Sequence, residues 1–496
     1  MGTRHTRREF LKVAGAGAAG AVLLNTLGCR PADWISTISS SGQSGSTQGF
    51  RSRSDLKPPT VGLNVETSDS VAPGYVFVAV KKGAGQDGPM IVDNQGRLVW
   101  FSKDRYATDF KVQTYKGEPV LTWWQGGIVA GHGEGEYVIF DSSYREVRRV
   151  RAGNGYKGDL HEFSITPQDT ALLTIYNQAR TDLSPIGGQK DGPVWDGIAQ
   201  ELDLETGEVL FEWHSLDHVD VGESYRGPEE DPGEPVDYFH INSIEVEPDG
   251  NFLIDAKGTY AVYKVDRQSG EVLWRLGGKE SDFEMGEGTR TISQHDARRQ
   301  EDGTITIFDN GAPPELHDQS RGIVVELDED AMKATLVREY THPEKPLSTS
   351  QGNMQVLSNG NVFVGWGTEP FSSEYSKDGK LIFDLKFPGE TQSYRAFRQT
   401  WSGRPAEDPA VVAEKGKGRK VNVYASWNGA TEAITWRVLA GPEPGRLEPV
   451  GSVPWAGFET AMAIRTDKPY LAVRAEDDSG LVLGTSAAIK PKSRSG

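Results

Sequence analysis

The 496-residue chain contains a single cysteine, Cys29. One thiol excludes an internal disulfide and every cysteine-cluster metal site, so the fold must be held by burial. Helical periodicity is nearly absent after the N-terminal segment, which argues against bundles and against alternating α/β folds. Positive charge is also short, with 53 Lys and Arg against 71 Asp and Glu and a formal net charge of −18. The deficit deepens once the first residues are set aside, because Arg4, Arg7, Arg8 and Lys12 leave with only Glu9 against them. Nucleic acid is therefore not an expected partner, and an anionic substrate would have to be met by a local cationic site.

The charge-free apolar run from Val13 to Leu24 is too short for a membrane span, which needs about 20 residues. It follows Thr6-Arg7-Arg8-Glu9-Phe10-Leu11-Lys12, and paired arginines ahead of an apolar segment read as a twin-arginine signal over residues 1–29, directing export of the folded chain. Cys29 comes after Leu27-Gly28, where a lipid anchor would be attached. Thr26 stands where such signals usually carry a branched aliphatic, which leaves free release open. The expected location is the cell surface, a periplasm-equivalent space or the medium, with the membrane a partner only through a lipid on Cys29. A Ser/Gly/Gln-rich stretch from Ser36 to Ser54 reads as part of a linker over 30–57.

From Pro58 to Trp401 one pattern recurs: an alternating apolar strand, a Pro-Asp-Gly or Asn-Gly turn, a second strand, and Asp-x-x-Ser/Thr-Gly-Glu-Val-Leu before an aromatic. The best copies lie in His240 to Gly277, with Glu247-Pro248-Asp249-Gly250-Asn251 and Asp266 to Trp274, and in Leu202 to Trp213. Asp-Gly and Asn-Gly supply the positive φ that tight connections require. Copies spaced roughly 50 to 80 residues apart suit an all-β fold, a six-bladed β-propeller over 58–402. An array of sandwiches is the alternative, but it would need interdomain linkers that this stretch lacks. A Pro/Lys/Gly/Glu-rich stretch then reads as a linker over 403–420, and short strands from Val421 to Leu483 read as a small C-terminal β-sandwich of immunoglobulin or fibronectin type over 421–490.

Three of the nine histidines open a repeat: His161 in Asp159-Leu160-His161-Glu162-Phe163, His240 in Asp237-Tyr238-Phe239-His240, and His295 in Ser293-Gln294-His295-Asp296. In a propeller the first strand of each blade lines the central channel, so residues at one phase of the repeat converge around the axis. Each histidine taken alone reads as a hydrogen-bonded structural residue closing a blade, whereas three at one phase form a ring. Neutral imidazoles suit zinc or copper. No His-x-x-His spacing and no convergent carboxylate is evident, so neither a metal nor a cofactor is expected.

Five segments taken in order, Asp159-Leu160-His161-Glu162, Phe239-His240-Ile241-Asn242-Ser243-Ile244, Trp274-Arg275-Leu276-Gly277-Gly278, Gln294-His295-Asp296 and Phe308-Asp309-Asn310-Gly311, resemble the bacterial arylsulfate sulfotransferases, most closely their twin-arginine-exported branch. The resemblance covers Pro58 to Trp401. It implies a six-bladed propeller that moves a sulfuryl group from a phenolic sulfate ester to a phenol without a nucleotide donor, so the implied partners are small phenols and aryl sulfates. It further implies that His295 attacks sulfur and is transiently sulfated, flanked by His161, His240 and Lys257. Lys257 stands where the family has arginine, which keeps the charge but loses the planar fork.

Sulfuryl transfer puts charge on three nonbridging oxygens and on the departing phenoxide, so it needs a cationic pocket more than a strong base. His295 would be the neutral nucleophile, Lys257 would hold the oxygens, and His161 and His240 would share the proton work. Asn242, on the same strand face as His240, and Asn310 are candidates for binding sulfate oxygens. Tyr238, Phe239, Trp366 and Tyr260 lie near blade openings and are candidates for stacking on a phenol ring. Two other functions fit parts of the sequence. A quinone-dependent dehydrogenase shares the Asp266-to-Trp274 signature but commonly carries a vicinal cysteine pair. A non-catalytic exported binding propeller would keep the blades and lose the ring.

Overall fold

The computed structural model describes residues 35–37, 43–65, 68–104, 106–228, 231 and 233–493, and nearly all of their regular structure is β-strand. The twin-arginine segment and Cys29 lie outside these residues. Six sheets follow one another between Gly62 and Gln399, antiparallel except where Glu284–Met285 runs parallel to Lys333–Tyr340 at the outer edge of the fifth. The second to fifth have inner strands Ala107–Tyr115, Phe163–Ile165, Ile241–Val246 and His295–Arg299, and each continues outward as a four-stranded meander. The sixth starts at Asn353–Val356 and takes the early strand Gly62–Val65 on its outer edge. The first sheet takes the late strand Gln392–Gln399 as its innermost member, beside Tyr75–Lys81. Both ends of the array are thus hydrogen-bonded into sheets built from the other end, and the inner strands of each sheet adjoin those of the next.

The recurring Asp-x-x-Ser/Thr-Gly segment proves to be a turn. The Asp266 carboxylate accepts the N–H groups of Gln268 and Ser269, and Gly270 follows at φ +75°. Asp203 does the same for Glu205 and Thr206 ahead of Gly207 at φ +78°. A short acceptor side chain followed by a residue free to adopt positive φ reverses the strand without leaving N–H groups bare. The signature shared with quinone-dependent dehydrogenases is therefore a hairpin device in this chain. Between neighbouring sheets the cores are dry, as where Leu253, Val262 and Trp274 of the fourth meet Ala297, Ile307 and Val325 of the fifth.

At the axis the packing is ionic. Arg395 from the first sheet is fully buried and contacts Asp109 of the second, Glu162 ahead of the third and Asp296 of the fifth. Lys111 lies 2.7 Å from Asp109 and 3.1 Å from Glu162, and Arg298 also pairs with Glu162. Burial would raise the Glu162 carboxyl, but Arg298, Arg395 and Lys111 outweigh it and hold it well below the usual carboxylate range. Three cations and three carboxylates from four sheets thus form a hub that fixes the inner strands relative to one another.

Past Trp401 two sheets, antiparallel apart from the short parallel strand Lys492–Ser493, share one hydrophobic core that includes Val423, Trp436, Met462 and Val473. The stretch expected as a linker over 403–420 carries a strand, Ala410–Lys415, and the one expected over 30–57 contributes Ile35–Thr37 to the same sheet. Ile35–Thr37 is too short to show alternation, and Ala410–Lys415 reads Ala-Val-Val-Ala-Glu-Lys, a short apolar run without alternation. The two regions meet where the Asn428 amide bonds both the N–H and the C=O of Phe101, and where Tyr144 Oη donates to Gly429 O.

Candidate active site

Breaks in register open the inner strands of the fourth and fifth sheets, between Ile241 and Ser243 and between His295 and Arg298. Bulges re-aim side chains at a channel rim. His240, Ser293 and Asp296 take left-handed φ values of +54°, +54° and +59°, which non-glycine residues keep only where surrounding contacts hold them. The outcome is a cluster of imidazoles. Ring centroids of His161 and His240 lie 5.0 Å apart, those of His240 and His295 6.3 Å, and His132, from the second sheet, is 5.7 Å from His240.

Backbone groups fix the His295 tautomer. Its Nδ1 lies 3.2 Å from Ser293 O, which can only accept, and 2.7 Å from Asn310 Oδ1. Its Nε2 accepts from Gln351 N–H at 3.2 Å. Nδ1 therefore carries the proton and Nε2 the lone pair. The Asn310 amide is held in turn by the carbonyls of Ser348 and Gln351, at 2.9 and 3.0 Å. His295 is 1 % exposed, and burial, followed by the charges of Lys257 and His240, drives its pKa well below the ordinary imidazole value.

Two carboxylates orient the other rings, although the sequence pointed to no convergent carboxylate. His161 Nδ1 lies 2.6 Å from Asp159 Oδ2, and His240 Nδ1 bonds Asp237 Oδ2. The same Asp237 oxygen lies 3.1 Å from His132 Nε2, and His132 stacks on Tyr176 at 3.8 Å. Burial pushes His240 down to about 3 against the pull of Asp237. Burial alone would raise the Asp237 carboxyl, yet its contact with His240 lowers it. We assign the pair as carboxylate and neutral imidazole, because Lys257 and Arg226 already supply positive charge beside it. Burial would likewise raise Asp159, but the charge and hydrogen bond of His161 leave it lowered.

Lys257 follows the inner hairpin of the fourth sheet, and its Nζ donates to Thr349 O at 3.2 Å. Burial, with Arg226, pushes it down to about 8. The loop from Ser348 to Gln351 is thus bound by Asn310, Lys257 and His295 together. Arg226, which sequence reasoning missed, lies on a loop pinned over Lys257-Gly258: Tyr225 N–H donates to Gly258 O at 3.0 Å, and Ser224 Oγ to Tyr238 O at 2.7 Å. The resemblance put one cation here and the structure places two. Asp159 and Asp237 were visible two and three residues before their histidines, but His132 opens no repeat and had no signal.

The remaining candidates lie elsewhere. Asn242 spans the fourth and fifth sheets, with Nδ2 on Gln294 O and Oδ1 accepting Asp296 N–H, so no part of its amide is left for an anion. Tyr238 and Phe239 are fully buried in one core, and Trp366 in another, donating to Ser373 Oγ. Their alternating position is as common to blade packing as to a rim. Tyr260 stacks on Tyr225 at 4.3 Å and is the one aromatic of the four near the ring's cations.

One donor set of the metal-binding type gathers among the described residues, His132, Asp237 and His240, with ligand atoms within 4.8 Å of one another. In it the Asp237 oxygen already takes two imidazole N–H groups, and Lys257 and Arg226 lie beside it. A cavity of about 710 Å³ opens at the other ends of the inner strands, lined by Lys111, Glu162, Glu245, Arg298 and Phe397 among others. It holds none of the histidines, and its charged groups are largely spent in the axial hub.

A family model described as arylsulfotransferase (ASST) matches residues 111–388, which include the four clustered histidines, Arg226, Lys257 and Asn310. No curated protein matches the sequence. Among solved structures, a protein of unknown function from Bacteroides caccae is similar at 14 % identity and a TM-score of 0.41, over 66 % of this chain and 100 % of that one. A streptogramin B lyase is similar at 8 % identity and a TM-score of 0.34, over 82 % and 98 %. A virginiamycin B lyase from Staphylococcus aureus is similar at 8 % and 0.30, over 74 % and 97 %.

Proposed function

The chain belongs to the arylsulfotransferase family, and from that premise we propose that it is a six-bladed propeller enzyme, with a C-terminal sandwich, that moves a sulfuryl group between phenols in two displacements through a sulfated His295. The observation that carries the reading is the proton arrangement on His295: a neutral ring with Nδ1–H held by Asn310 and Ser293 and an Nε2 lone pair that accepts Gln351 N–H, with the charges of Lys257 and His240 close by. A nucleophile toward sulfur needs that lone pair, and the charge that develops on the oxygens needs the cations.

In the first displacement Nε2 bonds to sulfur as the bond from sulfur to the aryl oxygen breaks, and the departing phenoxide takes a proton. Gln351 N–H, released from Nε2, and Lys257 Nζ, released from Thr349 O, then face the sulfuryl oxygens. His161, its Nδ1 2.6 Å from Asp159, takes the proton-transfer role in this reading, because His240 is held neutral by burial. In the second displacement an incoming phenol returns its proton to that imidazole and attacks sulfur, and the bond from sulfur to Nε2 breaks. No nucleotide donor enters. Export by the signal read in residues 1–29 would suit this, since an ester donor does not depend on a supply of nucleotide sulfate.

The test is a chromogenic aryl sulfate offered with and without a phenol acceptor. Acceptor-dependent release of the chromogenic phenol is expected, and its absence across varied acceptors would sink the proposal.

Two variants probe parts of the site. Lys257 carries its charge below about pH 8 and loses it above, so kcat/KM should fall as the pH rises through that value. Lys257→Arg should move this alkaline limb out of range, because a guanidinium keeps its proton; a limb that stays in place would assign it to another group. Asn310→Leu should lower kcat by about 10- to 100-fold with little change in KM, since it frees the His295 ring without touching substrate contacts. A change confined to KM would show that Asn310 binds substrate instead.

A further inference from the structure

Among the described residues, positive charge gathers at one tip of the C-terminal sandwich. The strand Ala410–Lys415 ends there, Lys420–Ser426 begins there, and Glu459–Arg465 ends there, Lys420 being the partner of Arg465. Thr466 N–H donates to Arg419 O at 2.9 Å across the tip. The exposed side chains of Lys415, Lys417, Arg419, Lys420, Arg465 and Lys468 therefore crowd one surface. Lys492 joins them where its strand pairs with Glu414–Lys415, and Lys490 stacks over Tyr470 at 5.0 Å. Against them stand Asp467, 3.5 Å from Arg419, Glu414, which Arg51 already pairs, and, on the adjoining hairpin of the other sheet, Glu443 and Glu448, with Arg446 between them in the chain. In a chain with a net charge of −18, such segregation is not what an evenly solvated surface requires.

Two placements give this tip a direction. Seven residues along Lys420–Ser426, at its other end, the sandwich is fastened to the first and second sheets through Asn428 and Gly429. The tip thus points away from the candidate active site. The strand Ile35–Thr37 lies antiparallel to Glu459–Arg465 with Ile35 opposite Ile464, so the chain preceding Ile35 leaves the sheet at the same tip. The few residues between Cys29 and Ile35 reach at most about 20 Å even when extended.

We infer that this basic tip is a docking surface for an anionic lipid membrane, which holds the sandwich against the bilayer and turns the propeller outward. The observations favour a membrane over a soluble polyanion, because the segment read as a membrane-directed signal leaves from the same surface. The inference stands apart from the sulfuryl-transfer reading, since it concerns binding alone.

The test uses the full chain carrying Cys29→Ser, so that no lipid can be attached, and measures co-sedimentation with vesicles. Vesicles of phosphatidylglycerol and phosphatidylcholine should bind it at low salt and release it at high salt, while pure phosphatidylcholine vesicles should not bind. Each tip cation should contribute about fivefold to the partition, so Lys417→Glu with Lys420→Glu and Lys468→Glu should lower it by at least about 100-fold. Reversing Lys82 and Lys333, exposed on the propeller, should leave it unchanged. All five positions are exposed, and an unchanged melting temperature in both variants verifies the fold. Equal binding to neutral vesicles, no binding to anionic ones, indifference to the tip reversal, or capture by heparin without vesicle binding would each overturn the inference.

Discussion

Replacing His295 with alanine is expected to lower acceptor-dependent sulfuryl transfer by about 10⁴-fold or more, because it removes the atom to which sulfur bonds between the two displacements. Electrostatic stabilisation by Lys257 and Arg226 would survive and leave a residual rate, as positioned charges do when a nucleophile is deleted. The variant also leaves Asn310 Oδ1 and Gln351 N–H without their shared partner, at a cost of about 1–3 kcal/mol each. Its rate should therefore be measured per folded molecule, with the folded fraction taken from circular dichroism. A folded variant within about tenfold of the parent rate would show that His295 is not the nucleophile, while leaving the transfer reaction itself in place.

Removing the centre of the axial hub should produce the largest loss of stability. Glu162 is fully buried between Lys111, Arg298 and Arg395. Glu162→Ala leaves three buried cations with two remaining carboxylates, and breaking a buried pair of this kind costs about 3–5 kcal/mol. The sign of the pH dependence follows from the direction of the shift. Glu162 has a folded value below its ordinary 4.5, so its contribution is present above that pH and is lost as the pH falls toward the folded value. The gap in denaturant midpoint between parent and variant should therefore be wide at neutral pH and narrow in acid. A gap under about 1 kcal/mol at neutral pH would mean that the hub orients the inner strands without stabilising them.

Much of the architecture was legible because its signals are local. Asp249-Gly250 and Asp266 to Gly270 form the turns their residue types dictate, and the strands from Val421 to Leu483 sit close to where alternation puts them. The ring was legible for a different reason: His161, His240 and His295 share one phase of a repeat, and a closed array turns equal phase into proximity. Asn310 was legible only as a nearby polar residue. Its grip on Nδ1 depends on the pairing of His295 with Phe308 across two strands.

What stayed hidden depends on contacts between sheets. His132 joins His240 by a ring contact and a shared bond to Asp237, a residue 105 positions away from His132 in the chain. Arg226 arrives on a loop whose course is set by hydrogen bonds to Gly258 and Tyr238. Asn242, Tyr238 and Trp366 had the right position along their strands for a binding role, but the amide of the first and the rings of the others are spent on neighbouring sheets. Position along a strand selects a face, and the neighbouring sheet decides what that face meets.

Rapid quenching with an aryl sulfate and no acceptor, followed by mass spectrometry of the digested protein, tests transfer through the channel histidine most directly. One sulfuryl group on the peptide bearing His295, formed as the first phenol is released and discharged when an acceptor phenol is added, is the expected result. Release of phenol with no sulfuryl group on that peptide, or with the group lodged on another residue and discharged from there, would contradict it.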